Sequence, residues 1–293
     1  MRPRIVPEAA PPRPDLRVDV PLVLIPAHVT TEAGAPVTSL SQDNFKVFED
    51  GIEQKITYFA KEDAPVSVGL VYDSSGSMRN KMRKSWEAAS TFLKTANSDD
   101  EFFLVEFNER PKLSVAFTSD SDQIFKTISR ARSLGRTSLL DAISMALTEM
   151  KHARNSRKAI IILSDGGDNR SRRTAGEVKT AMLESDVQLY AIGLFDPEES
   201  RKRTPEEANG PYLLEDLAQQ TGGRAFPVRD TEELPGISTR IGRELRDQYL
   251  LGYVPVNAAR DGKYRRVKIS LNPPAGAPAL QMHHRQGYFA PSE

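Results

Sequence analysis

Hydrophobic and polar positions change rhythm twice along this chain, near Ala64 and near Asp247. Before Ala64 the period is two: Val18, Val20, Leu22 and Leu24 alternate with Arg17, Asp19 and Pro21, which puts the apolar set on one face of a strand. Ala35-Pro36 marks a loop. Phe45–Phe48 then runs into Asp50-Gly51, a dipeptide favoured in two-residue hairpin turns because both central residues take positive φ, and Ile56–Phe59 is the expected return strand. After Asp247 alternation resumes in Tyr249–Val254, in Tyr264–Leu271, where Val267, Ile269 and Leu271 share a face, and in Leu280–Phe289. A small sheet with one apolar face has to bury it. The two ends are therefore expected to join in one β-sandwich with the middle inserted between them; two separate small sheets docked on the middle are the alternative.

Between the two breaks, short apolar runs alternate with amphipathic stretches. Strands are predicted at Val66–Tyr72, Glu101–Glu106, Leu113–Phe117, Lys158–Leu163, Val187–Leu194 and Arg224–Pro227. Helices are predicted at Met78–Thr95, Asp120–Ser133, Ser138–Ala153, Thr174–Ser185, Tyr212–Thr221 and Glu232–Arg246. The clearest stripe is Leu139, Ile143, Ala146, Leu147 and Met150. This alternation implies an α/β fold, a mostly parallel sheet covered by helices on both faces. The expected organisation is an extended linker over 1–15, where five prolines fall (Pro3, Pro7, Pro11, Pro12, Pro14), half of the sandwich over 16–63, the α/β unit over 64–246, and the other half over 247–293.

Composition removes several function classes. The 293 residues hold 40 Lys plus Arg against 40 Asp plus Glu, so the overall charge gives no pull toward nucleic acid or an anionic membrane, and no nucleic-acid partner is expected. With no cysteine and four histidines there is no disulfide frame, no thiolate zinc site and little imidazole, so a metal would have to sit on oxygen. No apolar run approaches the ~18 residues of a membrane helix, and no transmembrane segment is expected.

Three polar clusters interrupt the middle at strand ends or helix starts. Asp73-Ser74-Ser75-Gly76-Ser77-Met78 follows the first apolar run, Gly135-Arg136-Thr137-Ser138 precedes the striped helix, and Asp165-Gly166-Gly167-Asp168 follows Ile160–Leu163. Ligands of open α/β sheets bind beyond the carboxyl ends of the strands. Asp73, Ser75 and Ser77, spaced by two, can point their oxygens to one side, and Thr137 and Asp165 complete two carboxylates and three hydroxyls. Such a hard oxygen set suits magnesium or manganese, with calcium as a larger alternative. If hydroxyls bind directly and carboxylates act through water, the ion keeps an open position, and a carboxylate from a partner protein is the natural occupant.

Each cluster also has a plain structural reading: Asp73–Ser77 and Thr137 or Ser138 as helix caps, Asp165-Gly166 as a turn, and Asp168, Asn169 and Arg170 as a solvated loop. Asp196–Asn209 reads as a charged, solvated loop, with a place beside the rim and a part in partner choice as the alternative. His283 and His284 are adjacent in a strand, so their rings point to opposite faces. Trp86, Tyr72, Tyr190 and Tyr249 read as packing residues. Hydrolase, phosphate-loop and dinucleotide motifs are missing. The enzymatic alternative is magnesium-dependent phosphoryl transfer onto an Asp. Against it, serines stand where a second acid is wanted, and no lysine is expected at the rim.

The Asp-x-Ser-x-Ser signature at Asp73, Ser75 and Ser77, Thr137 ahead of Leu140-Asp141-Ala142, and Ser164-Asp165-Gly166 after a β run together resemble the von Willebrand factor A domain and its metal-ion-dependent adhesion site. The resemblance implies a Rossmann-like, non-enzymatic adhesion module that binds a protein ligand through Mg2+. Ser75, Ser77 and Thr137 would coordinate directly, Asp73 and Asp165 partly through water, with Ser74, Gly76, Gly135 and Asp168 supporting the rim. In related domains the last helix, here Glu232–Arg246, shifts on binding and couples the rim to the segment after that helix. The flanks, Asn44–Gly51 through Ile56–Phe59, Tyr249–Tyr253 and Gly287–Phe289, are similar to bacterial von Willebrand factor A related proteins, best known from acidobacteria. That likeness implies export to the periplasm, cell surface or medium under a signal that Met1–Asp15, with no apolar core, does not supply. A structural domain that makes no use of a metal is the remaining alternative.

Overall fold

The computed structural model of the chain describes residues 22–62, 64–194, 205–228, 230–274 and 276–292. The linker expected over 1–15, the strand positions Val18 and Val20, and residues 196–204 of the charged Asp196–Asn209 loop lie outside the described residues. Four strands lead the chain: β1 (Val23–Thr31), β2 (Phe45–Glu49), β3 (Ile52–Gln54) and β4 (Ile56–Glu62). Strands and helices then alternate: β5 (Val66–Asp73), α1 (Met82–Leu93), β6 (Glu101–Phe107), β7 (Pro111–Thr118), α2 (Ser121–Ile128) and α3 (Leu139–Met150). They continue with β8 (Arg157–Ser164), α4 (Ala175–Glu184), β9 (Gln188–Leu194), α5 (Pro205–Thr221), β10 (Ala225–Val228) and α6 (Leu234–Arg246). Four strands close the chain: β11 (Gln248–Tyr253), β12 (Tyr264–Leu271), β13 (Leu280–His284) and β14 (Gly287–Phe289).

The middle forms a six-stranded sheet of order β10-β9-β8-β5-β6-β7, parallel except for β7 at one edge. Every residue of β5 and β9 is buried, as a sheet covered on both faces requires. One face packs Val68, Leu70 and Tyr72 against Phe92 of α1, Ile124 of α2 and Ile241 of α6. The other packs Val71 and Ile160 against the predicted stripe of α3, Val178 of α4 and Leu217 of α5. The connection from β5 runs through α1 to β6 on one side, and the chain later returns to β8 on the other side of β5. Strand order therefore reverses at β5, and the crevice beyond the carboxyl ends of β5 and β8 is the place such sheets offer a ligand.

Helix boundaries follow local chemistry. Thr174 caps α4, accepting from Glu177 N–H while Glu177 accepts from Thr174 N–H at 2.8 Å. The helix α2 stops at Ile128, five residues short of the expected Ser133, and Ser133 Oγ beyond it donates to the carbonyl of Ser75 at the rim. The helix α5 begins at Pro205 rather than Tyr212, with Gly210-Pro211, a pair that reads as a break, inside it.

The ends of the chain build two antiparallel sheets, β13-β1-β11-β4 and β14-β12-β2-β3, and each takes strands from both ends. They share one core: Ile25, Ala27, Val29, Tyr249 and Leu251 from the first meet Phe45, Val47, Val267 and Ile269 from the second. Tyr253 and Tyr288 Oη, one from each sheet, both donate to Glu49 Oε2 at 2.8 Å. The Asp50-Gly51 turn has φ of 47° and 86°, as expected. Three strand expectations are corrected. The hairpin partner of β2 is β3, and Ile56–Phe59 belongs to β4, which crosses to the other sheet and pairs with β11. The Leu280–Phe289 run is two strands in different sheets. In β1 the inward set is Ile25, Ala27 and Val29, while Leu22 and Leu24 are exposed on the outer face, where they cover Gly252.

Candidate metal-binding site

Asp73 ends β5 with its side chain fully buried. Ser75 N–H donates to Asp73 Oδ1 at 2.8 Å, closing a local turn, and Gly76–Met78 form one turn of 3-10 helix before α1. The helix-cap reading fails at this cluster: neither Ser75, where that turn starts, nor Lys81, where α1 starts, caps with its side chain. Ser75 Oγ instead stands 3.1 Å from Ser77 Oγ. Ser75 is buried and Ser77 exposed, so the pair of hydroxyls leads from the buried carboxylate to solvent. Ser74 points elsewhere, donating N–H and Oγ to the carbonyl of Phe107 at 2.8 and 3.0 Å, which ties the loop to the end of β6.

The second cluster is bonded onto the first. Gly135 has φ of 77°, and a Cβ there would lie 2.8 Å from Glu109 Cγ, so glycine is needed on both counts. Its carbonyl accepts from Gly76 N–H at 3.0 Å, and Leu134 N–H donates to the carbonyl of Ser74 at 2.9 Å. Thr137, buried, is gripped from the third cluster: its N–H donates to Asn169 Oδ1 at 3.0 Å, and Asn169 N–H returns a bond to its carbonyl at 3.0 Å. The third cluster reaches the first through Ser164, whose Oγ donates to Asp73 Oδ2 at 2.6 Å and accepts from Gly166 N–H at 3.0 Å. Each of the three loops is thus hydrogen-bonded to the other two.

Asp168 takes another role. Its Oδ2 accepts from Leu140 N–H at 2.9 Å and from Ser171 Oγ at 2.6 Å, and its Oδ1 from Ser171 N–H at 3.1 Å. It supplies the first turn of α3 with an acceptor.

Electrostatics mark the place where Asp73 and Asp165 meet. Burial first, and the Asp165 carboxylate second, push the Asp73 carboxyl up to about 7, while hydrogen bonds from Ser164 and Ser75 pull the other way. Lys81 Nζ lies 3.7 Å from Asp165 Oδ2, which corrects the expectation of a rim without lysine. The 3-10 turn folds residue 81 back over the loop that holds Asp73, a placement linear spacing does not reveal. The donor chemistry suits a hard divalent ion: adjacent ligands of an octahedral ion with ~2.1 Å bonds stand about 3.0 Å apart, close to the 3.1 Å between Ser75 and Ser77. Among the described residues no three His, Cys, Asp or Glu side chains gather as a metal cage, so the fit rests on hydroxyls together with the two carboxylates.

Comparison with known proteins identifies the domain. The family model described as von Willebrand factor type A domain matches residues 68–167, a span that starts in β5 and ends just after Asp165. The chain carries a von Willebrand factor type A (VWA) domain. An uncharacterized protein of Borreliella burgdorferi is 26% identical over 182 residues, 57% of this chain and 52% of that protein. Inter-alpha-trypsin inhibitor heavy chain H2 of Mus musculus is 28% identical over 181 residues, 53% of this chain and 19% of its own length. This chain thus spans about half of one of these relatives and a fifth of the other. Two solved structures share the fold: a von Willebrand factor type A protein from Catenulispora acidiphila (TM-score 0.54, 13% identity, 84% of this chain and 72% of that one) and proximal thread matrix protein 1 from the mussel byssus (TM-score 0.53, 18% identity, 65% and 48%).

Within the VWA domain, three neighbours of the candidate site make contacts that the sequence reading did not assign. Ser164 had a signal, since it sits inside the Ser164-Asp165-Gly166 motif, but its hydrogen bond to Asp73 had none. Asn169 and Lys81 act across loops, where residue type alone carries no sign of the contact.

Proposed function

We propose that this VWA domain is a non-enzymatic module that binds a partner protein through Mg2+ at the carboxyl end of β5, with Mn2+ able to replace it. VWA domains generally mediate protein–protein interaction, and the domain here supports that broad role. In the finer reading Ser75, Ser77 and Thr137 hold the ion directly, Asp73 and Asp165 hold its water, and an acidic side chain of the partner takes the open position. When bound, the ion supplies a concentrated positive charge to an incoming carboxylate. The observation that carries this reading is the buried Asp73 beside Asp165 and the 3.1 Å Ser75–Ser77 pair: two facing acids call for a cation, and the hydroxyls give it a path to solvent.

Phosphoryl transfer is less well supported. A carboxylate nucleophile must be presented to the phosphorus in line, yet Asp73 is 0 % exposed and both its oxygens are hydrogen-bonded, to Ser75 and Ser164. Calorimetric titration with MgCl2 tests the reading: the wild type is expected to bind one ion, and Asp73→Ala none. Equal behaviour of the two, in either sense, contradicts it. Export is proposed on the flanking resemblance, and finding the protein in the cytoplasmic fraction of its cells would contradict it. The helix α6 passes directly into β11 and is the proposed route from rim to end sheets.

A further inference from the structure

We infer that Lys81 is a built-in cation that weakens the hold of the site on its divalent ion and leaves the loaded site positively charged. This rests on the metal-site reading above and adds a residue that determines its affinity and its preference for an anionic partner.

The placement of Lys81 is fixed by its backbone. Its N–H donates to the carbonyl of Met78 at 2.8 Å, closing the turn after Ser77, and its carbonyl accepts from Ser85 N–H at 2.9 Å as the first bond of α1. Residue 81 is therefore held at the junction between the loop that carries Asp73, Ser75 and Ser77 and a helix packed on the sheet. Its side chain is only 11 % exposed and runs inward, so the ammonium meets Asp165 Oδ2 at 3.7 Å beside a carboxylate that is itself 2 % exposed. A surface ion pair of this length would contribute little. Here the partner is buried, and the next charge is the fully buried Asp73.

Charge arithmetic gives the consequence. With both carboxyls ionised, as a bound divalent ion requires, Asp73 and Asp165 bring formal charges of −1 each and Lys81 +1, a sum of −1 that the ion turns into +1. With a neutral side chain at residue 81 the same sums are −2 and 0. Lys81 and a divalent ion therefore compete for the Asp165 carboxylate, and their mutual repulsion at a few ångströms is weakly screened in a buried setting. The loaded site keeps a residual positive charge that a carboxylate partner neutralises. That local field matters because the whole chain, with 40 basic and 40 acidic residues, has no net charge to draw an acidic partner.

The test compares wild type, Lys81→Met, Lys81→Arg and Asp73→Ala as full chains. Free Mn2+ is followed by electron paramagnetic resonance, and melting is recorded in EDTA and in excess Mg2+. The wild type is expected to bind Mn2+ and Asp73→Ala to lose it. Lys81→Met is expected to bind roughly tenfold more tightly than wild type. Lys81→Arg, which keeps the charge, should stay within about twofold of wild type. In EDTA Lys81→Met should melt below wild type, because two facing carboxylates lose their counter-charge, and Mg2+ should raise its melting temperature by more than it raises that of wild type. Unchanged or weaker Mn2+ binding by Lys81→Met, with wild-type binding intact, overturns the role of Lys81 while leaving the metal site standing. Absence of Asp73-dependent binding in the wild type overturns both.

Discussion

Asp73 is a fully buried carboxyl with a second carboxylate, Asp165, beside it. Its carboxyl, pushed up to about 7 from an ordinary value near 3.8, holds its proton longer in the folded than in the unfolded chain. Folded protein therefore binds more protons than unfolded between those two values, and the stability contributed by this group is lost as pH rises through that window and stays lost above pH 7. Asp73→Asn removes the charge with little change of shape. In EDTA at pH 8 it is expected to melt about 2–5 °C above wild type by differential scanning calorimetry, with the gain shrinking toward pH 5. Added Mg2+ should leave its melting temperature unmoved. A variant that melts below wild type at pH 8 would contradict the assignment of strain to a buried, unneutralised carboxylate. The same side chain is hydrogen-bonded by Ser164, so Ser164→Ala should also weaken Mn2+ binding, by a smaller factor.

Neighbouring residues of one loop serve different elements, and that difference is measurable. Asp168 satisfies the amide of Leu140 at the start of α3, whereas Asn169 holds Thr137 by two backbone contacts. Asp168→Ala is expected to cost about 1 kcal/mol of stability, read by denaturant unfolding, and to leave Mn2+ affinity within about twofold. Asn169→Ala is expected to weaken Mn2+ binding several-fold, because the Thr137 loop loses its grip. Interchanged effects would show that the two roles have been assigned the wrong way round. At this level the sequence was legible wherever pattern is local. The six central strands, the stripe of α3 and the Asp50-Gly51 turn follow from apolar runs, period and positive φ. The misread elements depend on distant partners. Leu22 and Leu24 alternate as an inward face would, yet they lie outward over Gly252, and the true inward set begins only at Ile25. Ile56–Phe59 reads as the return strand of the hairpin and Leu280–Phe289 as a single strand because nothing local marks where the chain leaves one sheet for the other. The five candidate ligands were legible as residue types at strand ends and, for Thr137, ahead of a helix start. The interlocking of their loops, and Lys81, were not, since both arise from contacts across the rim.

The domain and the end sheets meet at a buried polar joint. His28 and His283 face each other across β1 and β13. His28 Nδ1 lies 3.0 Å from the Asp247 carbonyl and its Nε2 3.9 Å from Glu244 Oε1, which also accepts from Arg224 at 2.9 Å and from Arg240 at 3.1 Å. Burial, followed by Arg224, His28, Arg240 and His284, holds His283 down to about 4, and burial also lowers His28. A histidine with a folded value below its unfolded value of about 6.5 takes up protons on unfolding, so its contribution to stability is lost as pH falls from 6.5 toward 4. His283→Gln is therefore expected to flatten the decline of melting temperature between pH 6.5 and 4 relative to wild type, and an identical slope would remove His283 from the cause. The joint lies on α6 and β1, away from the rim, so this acid sensitivity should persist in Asp73→Ala.

One diffraction experiment bears on both the rim and its ion. Crystals grown with MnCl2 and measured at the manganese absorption edge should show one anomalous peak at the carboxyl end of β5, within about 2.3 Å of Ser75 Oγ, Ser77 Oγ and Thr137 Oγ1 and one water away from Asp73 or Asp165. No peak at that place, or a peak coordinated without the two serines, would contradict the metal-dependent binding module.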